Sequence, residues 1–340
     1  MGSIFGTLYV GVSGLQTSQN ALNTTAHNMS NLDTEGYTRQ QVQLGTKEYT
    51  TVAVTPQAVS NQEVGSGVYY SRVKQIRDYF LDQTYRRESG RSAFYQTSYE
   101  VLEEAESLLG ELDGVAFQSA YADMWESVQE LAKDPSNAIT QGMFVQYCSV
   151  FLERATSVYD GLVNYQNNLN TQVKLTVDKI NSYGAQIVAL NEEIRKIEVG
   201  GIETANDLRD TRNLLLDELS TYANITYKEN ADTTVSIRIE GNDFVKGDLY
   251  YEMGLQKDEA TGFYTPFWIV NAEASYDEEG NKVYNIEGAE VFNLKKEISS
   301  ANNTDVGALK AMLLARGDHH ATYQDLEDAD YYNENIAQSI

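Results

Sequence analysis

The longest regular pattern in the sequence runs from about residue 138 to residue 199. Val173, Ile180, Ile187 and Ile194 recur there at a spacing of seven, which is typical of a helix that buries one apolar face. A helix of about 60 residues spans roughly 90 Å, because each residue adds about 1.5 Å. This length predicts the spine of an elongated rod and does not suit the centre of a compact enzyme.

A second helical pattern occupies the N-terminus, where residues 1–32 contain no Asp, Glu, Lys or Arg. Two series with a spacing of seven form an a/d seam: Leu8, Leu15, Leu22 and Met29, and three residues earlier Phe5, Val12, Gln19 and Ala26. The charges that normally flank such a seam in water are missing. We therefore expect a helix packed on most sides by other chains, where a charge would be costly to desolvate. A frayed polar terminus is the simpler alternative.

The rest of the chain, from residue 33 onwards, is strongly acidic. The 340 residues include 50 acidic and 25 basic side chains, giving a net charge of −25, of which residues 33–220 carry −12 and residues 221–340 carry −13. Such a chain is repelled by phosphate backbones and anionic lipids, so we expect no nucleic-acid partner. No run of 18 apolar residues is present, so we expect no membrane insertion. The N-terminus also lacks the basic and apolar regions of a cleaved secretory signal.

The residues that usually carry chemistry are sparse. Cys148 is the only cysteine, and His27, His319 and His320 have no metal-ligand spacing. Zincin, nucleophile-elbow and Walker motifs are absent. The acidic residues 325–330 could hold calcium weakly, but an unstructured tail is the simpler interpretation. We therefore predict no enzymatic activity, no metal and no cofactor.

The pattern divides the chain into four regions. We predict an N-terminal assembly helix over 1–36, an elongated helical rod with short extended segments over 37–223, a β-rich outer domain over 224–300, and a helix with an acidic tail over 301–340. Alternation at Val235, Ile237 and Ile239 carries the β prediction. After Gly200 and Gly201, Thr204 or Asn206 is expected to cap the next helix. The fold class is mainly α with an added β domain: an N-terminal heptad helix, an elongated long-helix bundle and a small β-rich domain.

Two motifs near the N-terminus carry a family resemblance. Residues 14–22 read G-L-Q-T-S-Q-N-A-L, and residues 28–40 read N-M-S-N-L-D-T-E-G-Y-T-R-Q. They resemble the signature of bacterial flagellar rod, hook and hook-associated proteins, which is G-L-x-x-x-Q-x-A-L followed by N-I-x-N-x-N-T-x-G-Y. Met29, Asp33 and Glu35 replace the usual Ile, Asn and Pro, and these changes are mild.

Later blocks narrow the resemblance to the hook-associated protein 1 family, which forms the junction between hook and filament. The matching blocks are residues 37–40, 65–68, 76–81, 117–135, 205–212 and 215–220. The resemblance covers residues 1 to about 225, with the blocks in order. One departure is that the family ends in a second heptad helix that pairs with the N-terminal one. No such helix occurs before residue 340, so we expect that these residues alone do not form a stable junction ring.

The resemblance implies a structural role that adapts hook to filament. It implies other copies of the chain in a ring, hook protein on one side, and a second junction protein or flagellin on the other. It also implies an export chaperone, type III export without a cleaved signal, and an extracellular place in the flagellum. A hook or distal-rod subunit is the alternative, although those proteins lack the helical block 89–220. An enzyme within 224–297 is a further alternative, although that segment contains no His or Cys.

The predicted assembly interface combines the N-terminal seam with the signature that follows it. It comprises Phe5, Leu8, Val12, Leu15, Gln19, Leu22, Ala26, Asn28, Met29, Asn31, Gly36 and Tyr37.

Overall fold

The computed structural model describes residues 4–53, 62–110, 117–201, 203–276, 282–322 and 325. Its helices are α1 Ile4–Ser30, α2 Tyr79–Leu109, α3 Phe117–Lys133, α4 Ala138–Glu198, α5 Asn206–Tyr222 and α6 Ala308–Arg316. A short 3-10 turn spans Ser300–Asn302. The prediction of a mainly α fold with an added β region is confirmed.

All strand pairings in the described residues are antiparallel. The first four strands are β1 Gln40–Thr46, β2 Thr50–Ala53, β3 Gln62–Val64 and β4 Val68–Gln75, and the later ones are β5 Ile225–Glu229, β6 Val235–Ile239, β7 Asn242–Lys246, β8 Leu249–Tyr250, β9 Met253–Lys257, β10 Tyr264–Trp268, β11 Glu273–Tyr276 and β12 Lys282–Asn285. Strand β1 pairs with β4, β2 with β3, β9 with β10 and β11 with β12, and β5 to β8 form a four-stranded meander. The late strands therefore form small sheets that each need another layer to cover a face.

The long helix predicted from the seven-residue repeat is α4, 61 residues in length. It begins after Asn137, whose side-chain oxygen accepts a 2.9 Å hydrogen bond from the Ile139 backbone N–H. The four repeat residues from Val173 to Ile194 are fully buried. The repeat thus marks the face of α4 that contacts the rest of the molecule, and the predicted long helix is confirmed.

One apolar core joins this helix to the strands. It contains α4 residues such as Ile180 and Ile187, strand residues such as Ile237 and Trp268, and Leu309 of α6. The predicted boundary between residues 223 and 224 lies inside this core. The strands do not form a separately packed domain, because α4, α5 and α6 supply the second layer that the small sheets lack.

Three asparagines on α4 attach the strand region to the rod. Each side-chain amide accepts from one backbone N–H and donates to a backbone carbonyl oxygen, at distances of 2.8 to 3.1 Å, and the Asn191 amide also donates to the Gly247 carbonyl oxygen at 3.0 Å. They are 10 or 11 residues apart, which is about three helical turns and keeps them on one face. The pairs are Asn170 with Gly262 and Tyr264, Asn181 with Met253, and Asn191 with Val235.

The turn between α4 and α5 differs from the expectation. Residue Ala205 occupies the capping position of α5 and has no capping side chain. Its backbone N–H donates instead to the Glu198 carboxylate at 2.9 Å, and Arg209 donates to both oxygens of that carboxylate at 2.7 Å. The prediction that Thr204 or Asn206 caps α5 was wrong, because Ala205 occupies the capping position and its N–H is bound by an acid from the preceding helix.

The C-terminal helix α6 packs between α2 and α4. Most of the expected acidic tail, together with the proposed weak calcium segment 325–330, lies outside the described residues apart from Asp325. Within the part of the chain that the structure describes, no helix is long and apolar enough to cross a membrane.

Candidate assembly surface

Helix α1 packs with one face against the two-stranded sheet of β1 and β4. Ser13 and Thr17 are buried on that face. The Ser13 hydroxyl donates to the Val10 carbonyl oxygen at 2.7 Å and accepts a 3.3 Å hydrogen bond from the Val68 backbone N–H. The docked face of α1 is therefore polar, and its hydroxyl groups are satisfied by the main chain.

The close approach of the turn before β4 to α1 depends on a glycine. Gly67 has φ of +96°, a conformation that side-chain-bearing residues rarely adopt. A Cβ atom at this position would lie 2.3 Å from the Ser13 hydroxyl oxygen. The turn before β4 can thus reach α1 only because residue 67 carries no side chain.

The signature after α1 turns the chain into β1. The Asn28 side chain donates to the Gln40 carbonyl oxygen at 2.8 Å and accepts from the Gln40 N–H at 2.9 Å. Its oxygen also accepts a 2.7 Å hydrogen bond from the Tyr37 hydroxyl, which lies 3.0 Å from Nδ1 of His27. Asn28 therefore acts as a strand neighbour for the first residue of β1.

The remaining signature residues fix the turn itself. The Asn31 amide donates to the His27 carbonyl oxygen at 3.0 Å and accepts from the Thr34 hydroxyl at 3.2 Å. Gly36 has φ of +78°, and a Cβ there would lie 3.2 Å from Cβ of Leu214 on α5. Asn28, Asn31, Gly36 and Tyr37 thus hold the chain's own turn, and their predicted contact with neighbouring subunits stays a prediction.

The turn after α1 and the end of β4 are both attached to α5. The Asp210 carboxylate accepts from the Thr38 N–H at 3.2 Å and from the Gln75 amide at 2.8 Å, and the same amide donates to the Asn206 carbonyl oxygen. Burial raises the pKa of Asp210, although the hydrogen bonds from Thr38 oppose that shift. Sequence reasoning missed this anchor. The block 205–212, which carries part of the family resemblance, includes Asn206 and Asp210, but it does not identify the residues that they bind.

The apolar seam of α1 lies on the opposite side of the helix. Two residues correspond to about 200° around a helix, so Leu15 points away from Ser13 and Thr17. Leu15 is 74% exposed and Met29 is 75% exposed. The whole α1 seam (Phe5, Leu8, Val12, Leu15, Gln19, Leu22, Ala26 and Met29) faces solvent. An exposed, mainly apolar stripe of this kind is typical of an interaction surface, so the predicted assembly role of the seam stays a prediction.

Two open concavities border this surface in the described structure, and the larger, of about 550 Å³, lies between α1 and the start of α5. A cavity of about 250 Å³ lies between the signature turn and α5, lined by residues that include His27, Tyr37, Asp207 and Asp210. Among the described residues no group of His, Cys, Asp and Glu is arranged to hold a metal ion.

Family comparison agrees with this geometry. The model of the flagellar hook-associated protein FlgK helical domain matches residues 102–326, about two thirds of the chain. The chain belongs to the flagellar hook-associated protein family. The model of the flagella basal body rod protein matches residues 8–38, which covers most of α1 and the signature turn. The resemblance found in the sequence is confirmed.

Individual relatives support the same family. Flagellar hook-associated protein 1 of Bacillus subtilis is 32% identical over 248 residues, covering 70% of this chain and 49% of the relative. The Escherichia coli protein of the same name is 25% identical over 276 residues, covering 81% of this chain and 49% of the relative. This hook-associated chain thus spans about half the length of the curated relatives it matches.

A solved structure shares the fold. The flagellar hook junction protein FlgK from Burkholderia pseudomallei superposes with a TM-score of 0.50 at 18% identity, covering 69% of this chain and 39% of that one. At this identity the likeness bears on the fold alone.

Proposed function

We propose that the chain is a structural component of the bacterial flagellum at the hook–filament junction, where it adapts hook to filament and is needed for filament assembly. Family membership supports the flagellar role. The observation that carries the proposal is that α1 docks through its polar face and leaves its apolar seam in solvent. Six large apolar side chains on one exposed helix face require a partner to cover them.

The proposed partners follow from this surface and from the family. Other copies of the chain form a ring, hook protein lies on one side, and a second junction protein or flagellin lies on the other. An export chaperone accompanies the chain before assembly. We propose export to the extracellular flagellum without a cleaved signal, and neither nucleic acid nor a membrane is a partner. A head-to-tail ring needs two different surfaces on each subunit, and the α1 seam supplies one of them.

We also propose that the chain has no catalytic activity, as expected for a structural flagellar family. The strand region supports this, because its large side chains, such as Phe244 and Trp268, are used to pack on α4 and its neighbours. A hook or distal-rod subunit is the second candidate. The match of a hook-associated helical-domain model to 102–326 favours the junction protein over it.

Gene deletion tests the proposal. Cells without the gene should build hooks that carry no filaments and should release flagellin into the medium. Normal filaments in a clean deletion, with no second copy of the gene, would refute the proposed function. Complementation with the wild-type gene should restore filaments and swimming.

Complementation with Leu15→Asp tests the seam itself. The charge would have to be desolvated in a packed interface, so filaments should remain absent. Because Leu15 is exposed in the single chain, the free energy of unfolding should change by less than about 0.5 kcal/mol. Asn20→Asp is the matched control, since it places the same charge on an exposed part of α1 away from the seam. Swimming by both variants would mean that the seam is not buried on assembly.

A further inference from the structure

The two-stranded sheet of β1 and β4 has two outer edges, and its own chain covers them unequally. On the β4 edge the Val68 N–H donates to the Ser13 hydroxyl of α1 at 3.3 Å. Further along the same edge, the Val73 carbonyl oxygen accepts a 3.5 Å hydrogen bond from the Asn206 amide of α5. The β4 edge is therefore closed by two helices of the same chain.

The backbone of β1 alternates between β4 and the open side. Just before the strand, the Arg39 carbonyl oxygen accepts a 2.9 Å hydrogen bond from the Ile76 N–H. Just after it, the Lys47 N–H donates to the Gly67 carbonyl oxygen at 2.9 Å. The register between the strands places one extra residue, Ser71, on β4, so β1 itself continues without a bulge. Odd-numbered residues of β1 thus face β4, and the backbone groups of even-numbered residues point to the outer edge.

Most of this outer edge has no partner. Asn28 covers it at Gln40, with the two hydrogen bonds described above. Within the part of the chain that the structure describes, the next three even-numbered residues make no backbone hydrogen bond on that side: Val42, Leu44 and Thr46. Leu44 is 57% exposed, and β1 contains no charged residue and no proline. An open, uncharged strand edge of this kind is a template for pairing with another strand.

The three free residues are complementary to the same residues of a second copy. In an antiparallel pair, opposite residues whose backbone groups point at each other exchange two hydrogen bonds. If Leu44 lies opposite Leu44 of a second copy, Val42 of each chain lies opposite Thr46 of the other. This register uses every free residue of both copies, and it ends where Asn28 covers Gln40.

Other registers fit less well. A shift of two residues in one direction places Arg39 opposite Lys47 of the other copy, and like charges directly opposite each other are destabilising. A shift of two residues in the other direction leaves Val42 without a free residue opposite it. A shift of one residue sets outward-facing groups against inward-facing ones and forms no ladder. The open edge therefore favours one arrangement of two copies.

We propose that β1 pairs antiparallel with β1 of a second copy, centred on Leu44, to form a four-stranded sheet in the order β4, β1, β1, β4. The three residue pairs contribute about six hydrogen bonds between the chains. Growth stops at two copies, because each outer β4 edge is closed by α1 and α5 and carries the exposed charges of Arg72 and Lys74. The contact is smaller than a standard protein interface, so we expect it at high protein concentration.

This pairing goes beyond the proposed function and does not depend on it. A two-fold contact uses the same surface on both copies and closes on itself, whereas a head-to-tail ring needs two different surfaces. The β1 pair is therefore a state of the unassembled chain.

A disulfide trap tests the register. Hydrogen-bonded antiparallel residues have Cα atoms about 5.5 Å apart, which suits a disulfide. In a Cys148→Ser background, Leu44→Cys should give a disulfide-linked dimer on mild oxidation, measured by mass spectrometry without reductant. Gln43→Cys is the matched control, because it lies opposite Gly45 and its two thiols belong to residues more than about 7 Å apart. Its dimer yield should be severalfold lower. Equal yields in the two variants, or no dimer in either, would overturn the proposal.

Amide hydrogen exchange gives a second measurement. At high concentration of the wild-type chain, the Leu44 and Thr46 amides should exchange severalfold more slowly than after dilution. The Gln43 and Gly45 amides face β4 and should exchange equally in both conditions. Leu44→Lys should abolish the slowing, since two lysines would face each other, whereas Leu249→Lys at an exposed leucine of β8 should preserve it. Exchange at Leu44 that does not depend on wild-type concentration would refute the pairing.

Discussion

At the scale of single residues, asparagine side chains take the place of strand neighbours. Asn28 does this for β1, and Asn181 and Asn191 do it for strands packed on α4. The family resemblance singles out Asn28 in the sequence. It gives no reason to single out the two α4 asparagines, because a polar residue beside a heptad stripe is normally solvent-facing. Their role depends on strands about 45 to 70 residues away in sequence, which no local pattern encodes.

Gly67→Ala is predicted to undock α1. The new Cβ would lie 2.3 Å from the Ser13 hydroxyl oxygen at a φ of +96°, so either the turn or the helix must move. Hydrogen exchange of α1 amides should become faster, while exchange in the shared core stays unchanged. Gly65→Ala is the control, because its Cβ would meet only Tyr49 at an ordinary 3.8 Å. Slow α1 exchange in the Gly67 variant would show that this contact does not hold α1 in place.

At the scale of elements, the helices were predictable and their connections were not. The repeat from Val173 to Ile194 fixes α4 because its period persists over many turns. The α4–α5 turn was mispredicted, because Thr204 and Asn206 are good local caps. The Glu198 carboxylate already satisfies the Ala205 N–H and also pairs with Arg209, which a capping hydroxyl does not do. The ion pair between α4 and α5 thus determines this turn, and the local capping preference does not.

The Glu198–Arg209 pair predicts a dependence of stability on pH. Burial alone would raise the pKa of Glu198, but hydrogen bonds from Arg209 and the Ala205 N–H bring it below its ordinary value of 4.5. A lowered carboxyl pKa stabilises the fold above the unfolded value, and that contribution is lost as pH falls through the folded pKa. Glu198→Gln should therefore lower the free energy of unfolding by about 1–3 kcal/mol at pH 7. The difference from wild type should shrink below about pH 4.5.

Urea unfolding of wild type and variant across this pH range measures the effect. Glu192→Gln is the matched control on the same helix. It removes an exposed i,i+4 pair with Lys196, which contributes little in water. A Glu198→Gln deficit that stays constant down to pH 3 would mean that the carboxylate charge does not stabilise the turn.

At the scale of the whole molecule, the strand region and the rod share one core. The change of period from seven to two after residue 222 correctly locates the β region, but it also suggests a separate domain. The period of a hydrophobic pattern shows which side of a helix or strand is buried, but it does not show which other element covers that side. Here Ile237 and Trp268 pack with Ile180 and Ile187 in the same cluster. The strands and α4 should therefore unfold together, whereas α1 is attached mainly through the β1–β4 sheet and the anchor on α5.

Asn191→Leu tests this shared unfolding. The substitution leaves the Val235 N–H and carbonyl and the Gly247 carbonyl unsatisfied in the core, at a cost of about 3 kcal/mol. Hydrogen exchange in dilute denaturant should show the same loss for amides of α4 and of β6, because both exchange through one opening. Asn167→Leu on the exposed side of α4 is the control and should leave both unchanged. If the β6 amides lost protection while the α4 amides kept theirs, the strand region would be an independently folded domain.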